Sequence, residues 1–165
     1  YSMAGVAAKV VFLDVDGVLH ALMGDDMFDP ACMMHLNHLV RTSGAAIVLS
    51  SSWRQSAWGV DEVNAQLQKQ GLAQVIDSTP IHGFRSRSDE ILDWVHRHPD
   101  VTHFVAIDDM DLTFPHGDKF DHHFVQTDSD VGLTGELVQR ALEKLNVRVD
   151  RASLPVAETK EEYMW

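Results

Sequence analysis

The chain has 165 residues, 45% of them hydrophobic and 23% charged, which is the composition of a folded domain able to bury its own core. That excludes a disordered or collagen-like chain, and a single cysteine, Cys32, excludes a disulfide scaffold or a Cys-rich zinc module. Thirteen basic against 25 acidic residues give a net charge of −12, which repels phosphate backbones and disfavours a dedicated nucleic-acid binder.

In chain order, short apolar runs alternate with amphipathic segments. The first residues, Tyr1-Ser2-Met3-Ala4, lack a signal-peptide pattern. Tyr1-Ser2 ahead of Met3 reads as a cloning remnant. Lys9–Val15 is a buried strand. Asp29 and Pro30 predict a helix start, Met33, Met34, Leu36, Leu39 and Val40 its core face, Cys32 buried filler, and Gly44 its end. Ala45–Leu49 is a second strand. Val60–Gln70 is a helix closed by Gly71, and Ala73–Asp77 a third strand. Ser88 is expected to cap a helix over Asp89–His98, stopped by Pro99. Thr102–Ile107 is a fourth strand and His123–Gln126 a fifth. Thr134–Leu145 is a long helix with Leu137, Val138, Ala141, Leu142 and Leu145 on one face. The expectation is one domain over residues 1–165, with a core at about 9–146 and a polar, acidic tail at 147–165. No apolar run approaches the roughly 18 residues of a membrane span. The lone cysteine fits a reducing, cytoplasmic setting.

Strand–helix alternation with buried strands predicts an α/β fold with a mainly parallel sheet, in which ligands bind beyond the carboxyl ends of the strands. The first strand ends in Asp14-Val15-Asp16-Gly17, the second in Ser50-Ser51-Ser52, the fourth in Asp108-Asp109. A carboxylate at a strand end serves as nucleophile or metal ligand. Gly17 lets the chain turn sharply behind the pair. Alone, such a pair is a turn; beside Asp108 and Asp109 it becomes a set of hard oxygen ligands suited to Mg²⁺. Ser50 and Ser51, with the amides that follow, suit a phosphoryl group, although LSSSWR taken alone reads first as an ordinary serine-rich loop. In FRSRSDEI, Arg85 or Arg87 supplies a cation, or both are solvated surface arginines. Asp121-His122-His123 reads as a surface turn leading into an edge strand, because alternation separates the two imidazoles. Trp53 and Trp58 line the site or pack beside it.

These four pieces, in this order, resemble the haloacid dehalogenase superfamily of phosphohydrolases. DVDGVL is similar to its first motif, LSSSWR to its second, Arg87 to its third and AIDDMD to its acidic fourth. The likeness spans about residues 9–145. More narrowly, LSSSWR, RSDEILDWV, AIDD, HFVQTD and GLT are similar to the small domains of this superfamily grouped with Swiss Army Knife RNA repair proteins. The resemblance implies a Rossmann-like three-layer α/β/α sandwich and a Mg²⁺-dependent phosphatase. Asp14 is then the nucleophile that becomes an aspartyl-phosphate, and Asp16 the general acid and base. Ser50, Ser51 and Arg87 bind phosphate, while Asp14, Asp16, Asp108 and Asp109 face the metal.

Members acting on small metabolites carry a cap domain. Here Val18–Gly44 holds one helix and a short loop, and Ser78–Arg87 only a loop, too short to bury a core of their own. The expected site is therefore open, rimmed by Trp53, Trp58 and Phe84, and suited to a bulky phosphorylated substrate such as a phosphoprotein. A nucleotidase or phosphotransferase of the same fold, and a non-catalytic phosphate-binding domain, are the alternatives. A pure binder has no use for Asp16, and a structural Mg²⁺ or Ca²⁺ domain none for Ser50 and Arg87.

Overall fold

The computed structural model describes residues 8–163, so the readings on Tyr1–Ala4 lie outside the described residues. Five strands, β1 (Lys9–Leu13), β2 (Ala46–Leu49), β3 (Asp77–Ser78), β4 (His103–Asp108) and β5 (Phe124–Gln126), form one sheet in the order β3-β2-β1-β4-β5. All four pairings are parallel. Parallel strands joined by crossovers are covered on both faces. On one face Val11, Leu13, Ile47, Leu49, Val105 and Ile107 pack against α1 (Pro30–Ser43), α2 (Ala57–Lys69) and α5 (Gly135–Leu145). On the other, Val10, Phe12, Val48, Phe104 and Ala106 pack against α3 (Arg87–Arg97) and against Phe120 of the short α4 (Asp118–Asp121). This is a three-layer α/β/α sandwich without a cap. No helix among the described residues is long and apolar enough to cross a membrane.

The order reverses at β1: β2 and β3 lie to one side, β4 and β5 to the other. Side chains at the carboxyl ends of β1 and β4 therefore meet at the topological switch point, where open α/β sheets bind ligands.

Local chemistry sets the helix ends. Asp29 accepts from the Cys32 amide at the start of α1, and Gly44 closes that helix in the left-handed region. Thr134 caps α5. Several expectations need correction. The cap of α3 is Ser86, whose hydroxyl accepts from the Asp89 amide, so Arg87 opens the helix and Ser88 lies within it. Strand β3 is Asp77–Ser78; ahead of it the Ile76 amide donates to the Ile47 carbonyl of β2 and the Val75 amide to the Asn64 side chain. Cys32 and Met33 are buried, but Met34 is 58% exposed and leaves the core face. His122 is exposed, whereas His123 is buried, stacked on Phe104 and bonded to its carbonyl. The segment after Asn146 is no loose tail: Val149 and Leu154 join the second core, and the Arg151 guanidinium donates to the carbonyls of Val95, His98 and Val101.

Candidate active site

Asp14 follows β1 directly, its amide bonded to the Ile107 carbonyl of β4. Asp108 ends β4 and is fully buried; Asp109 follows it, half-buried. Oxygens of Asp14, Asp108 and Asp109 all lie within 4.8 Å of one another. Gly17 makes this approach possible. Its φ is +78°, and a Cβ there would overlap the Asp109 carboxylate. The Gly17 carbonyl accepts from the Thr127 hydroxyl at 2.7 Å, which ties the turn to the end of β5.

Among the described residues, one cation pairs with this cluster directly. Arg87, at the first turn of α3, places Nη1 2.7 Å from Asp108 Oδ2 and 3.4 Å from Asp14 Oδ1. Arg85 points to other chemistry, pairing with Glu158 at 3.2 Å and lying over the Phe114 ring. A single guanidinium does not balance three carboxylates. Burial, and then the charge of Asp108, push the Asp14 carboxyl up to about 8, against the opposing pull of Arg87. Burial likewise raises Asp108, with Arg87 opposing. The oxygen-only donor set and its excess negative charge fit a hard divalent cation.

Ser50 follows β2, its amide bonded to the Leu13 carbonyl of β1. Its hydroxyl is buried and has no hydrogen-bond partner among the described residues. Such an orphan calls for an explanation, and a bound anion supplies one. Ser51 does different work: its hydroxyl accepts from the Trp53 amide and caps a 3-10 helix at Ser52–Gln55.

Beneath these serines lies Arg54, which sequence reasoning missed. Its guanidinium donates to the carbonyls of Ser50, Ser51, Thr79 and Pro80 and to Glu90 on α3. It fixes the ends of β2 and β3 and links them to the helix bearing Arg87.

Asp16 stands apart from the buried cluster, with its side chain 40% exposed. Oδ1 accepts from His20 Nε2 at 2.7 Å, and Oδ2 from the Trp53 indole at 3.0 Å. His20 was also missed; its signal was the spacing of four residues after Asp16. Trp58, 66% exposed, stacks on Trp53. Phe84 bridges to Thr159 and lines a shallow hollow with Asp77, Pro80 and Trp94.

The structure thus brings Asp14, Asp108, Asp109 and Arg87 together at the switch point, with Ser50 and Asp16 on the two loops beside β1. The family described as the HAD domain in Swiss Army Knife RNA repair proteins matches residues 10–138. The chain belongs to this family. It is therefore a haloacid dehalogenase-type domain, a membership that suggests a phosphohydrolase-type function. The match starts at the second residue of β1, takes in β2 to β5 and ends within α5. No curated protein and no solved structure matches the chain significantly.

Proposed function

We propose that this chain is a Mg²⁺-dependent phosphatase that hydrolyses phosphomonoesters through an aspartyl-phosphate on Asp14. The observation that carries the reading is the convergence of three carboxylates at the strand ends, two of them within ion-pair distance of Arg87. Asp14, Asp108 and Asp109 would hold the metal, joined by the Asp16 main-chain carbonyl as the family resemblance implies. Bound there, Mg²⁺ offsets the negative charge of the cluster and of the phosphate.

An Asp14 oxygen attacks phosphorus, and the ester P–O bond breaks. Its electron pair goes to the leaving oxygen, which takes a proton from the Asp16 carboxyl. Asp16, now a carboxylate, takes a proton from water as the water oxygen attacks phosphorus. The bond to Asp14 breaks, its electrons return to the carboxylate, and inorganic phosphate leaves. The Ser50 hydroxyl and the Arg87 guanidinium bind the phosphoryl oxygens and spread their charge. Arg87 is already engaged by Asp108 and Asp14, so it reaches the phosphoryl group without leaving the cluster.

The absence of a cap supports an open site with few contacts to a small molecule. Small esters are then weak, broad substrates, and a large phosphorylated one supplies contacts of its own. The family description points to RNA; the −12 charge weighs against a long polynucleotide and favours a phosphoprotein. The buried lone cysteine agrees with a reducing, cytoplasmic setting.

The test is turnover of 4-nitrophenyl phosphate with and without Mg²⁺, followed by a panel of phosphometabolites and phosphoproteins. Mg²⁺-dependent release is expected, with the phosphoryl group trapped on Asp14. Activity that survives excess chelator removes the metal role. No turnover with any ester favours a non-catalytic phosphate-binding domain. A low-micromolar KM for one small sugar phosphate or nucleotide, with poor action on macromolecules, overturns the size preference.

A further inference from the structure

We propose that His20 and Trp53 are positioning residues that clamp Asp16 in the orientation from which it gives and takes the proton. The inference rests on the reaction proposed above. Asp16 is half-exposed, and an unrestrained side chain there would sample several rotamers. Instead each of its oxygens is held by one N–H, from His20 Nε2 at 2.7 Å and from Trp53 Nε1 at 3.0 Å.

Both donors have fixed polarity. The indole N–H can only donate. The His20 Nδ1 accepts from the Phe28 amide at 3.1 Å, so in the neutral ring the proton belongs on Nε2, facing Asp16. The imidazole is itself held. It is buried, the Phe28 ring packs against it in a T-shaped pair, and the His20 backbone carbonyl accepts from the Gly17 amide. Phe28 adopts a left-handed φ of +54°, a conformation that a non-glycine residue keeps only where its surroundings enforce it. Trp53 is held in the same way, by a T-shaped contact with Phe28 and by Trp58 stacked on it.

The clamp uses one acceptor position on each Asp16 oxygen and leaves the others open. A proton can therefore sit on either oxygen, or a leaving group or water approach it, without breaking either bond. Nothing in this arrangement touches the phosphorus-bonded atoms, so loss of the clamp should weaken proton transfer specifically.

That specificity makes the inference testable with Trp53→Phe, His20→Phe and His20→Gln. Trp53→Phe keeps an aromatic ring, and His20→Gln keeps an N–H near the Nε2 position. We would measure kcat/KM for 4-nitrophenyl phosphate, phenyl phosphate and glycerol phosphate, since this ratio covers departure of the leaving group. Nitrophenolate departs without a proton, whereas an alkoxide needs one. The two Phe variants should lose about tenfold or more on glycerol phosphate and only about twofold on 4-nitrophenyl phosphate, with His20→Gln largely restored. Equal losses across the three esters would show a merely structural role and overturn the clamp. If His20→Phe does not fold, Trp53→Phe decides alone. Wild-type inactivity on all three esters would instead overturn the reaction, and the clamp with it.

Discussion

Asp108 and Asp89 are both fully buried, and the fold treats them in opposite ways. Asp89 accepts from the Ser86 hydroxyl at 2.8 Å and from the Glu158 amide at 3.0 Å, and lies 2.6 Å from His116 Nε2. Three partners surround it, and its own amide returns a bond to Ser86. Asp108 accepts from the Met110 amide at 2.9 Å but shares its one guanidinium, Arg87, with Asp14, a second buried carboxylate, and burial raises the pKa of both. Equal burial therefore does not mean equal role. A carboxylate whose partners are complete belongs to the scaffold; carboxylates gathered without enough partners mark the place where a ligand completes the set.

The largest contrast should come from removing the charge at each place. Asp14→Asn is expected to abolish turnover, since an amide is a poor nucleophile, yet to leave the metal-free protein as stable or more so. Asp16→Asn should slow turnover by about 10²–10⁴-fold while a phosphorylated Asp14 persists. Asp89→Asn should do the reverse of Asp14→Asn. It turns an acceptor into a donor amid donors, which costs about 2–3 kcal/mol of stability, read from urea midpoints. Asp14→Asn destabilising the apo chain as much as Asp89→Asn would erase the distinction.

The pH dependence sharpens the same contrast by a smaller amount. Burial and the charge of Asp108 raise Asp14 from 3.8 to about 8 in the folded chain. Between these values the folded state holds a proton that the unfolded state has released, so stability falls as pH rises through that window. The thermal midpoint of metal-free protein should therefore drop from pH 5 to pH 8. Asp14→Asn should flatten the drop, and Mg²⁺ should raise the midpoint more at pH 8 than at pH 6. A pH-independent midpoint, unmoved by Mg²⁺, would count against this picture.

What the sequence made legible follows a physical line. Asp14, Asp108 and Asp109 were visible because charged residues closing apolar runs are rare without a reason. Asp29 and Gly44 were visible because caps are local chemistry. Tertiary partners were not. Arg54 binds carbonyls on two separate loops, and Asp89 bonds a residue 69 positions away. No local pattern announces either. The misplaced cap of α3 came from two serines flanking Arg87, which only the observed bond from the Asp89 amide to Ser86 distinguishes. The last segment read as polar because its contribution is sparse: two apolar side chains and one arginine, spread over residues with no period.

That last segment supplies the mildest test. The Glu158 amide reaches Asp89, the Glu158 carbonyl accepts from the Arg85 amide, and the Gly83 carbonyl accepts from the Lys160 amide. A chain ending at Ala157 keeps Val149, Arg151 and Leu154, and so keeps the second core and the bonds from Arg151 to the carbonyls at the end of α3. It loses the strap over residues 83–85, just before Arg87. His116 and Ser86 still serve Asp89, so the cost should be about 2 kcal/mol, the net worth of three hydrogen bonds and a half-exposed ion pair between Arg85 and Glu158. Arg87 stays anchored by Asp108 at 2.7 Å, but the loop leading into it is freer. The expected result is a kcat/KM for 4-nitrophenyl phosphate reduced several-fold, with Mg²⁺ affinity unchanged because Asp14, Asp108 and Asp109 are untouched. Loss of Mg²⁺ affinity in this truncation would mean that the scaffold and the reactive cluster are one coupled unit, and the line drawn between Asp89 and Asp108 would have to be abandoned.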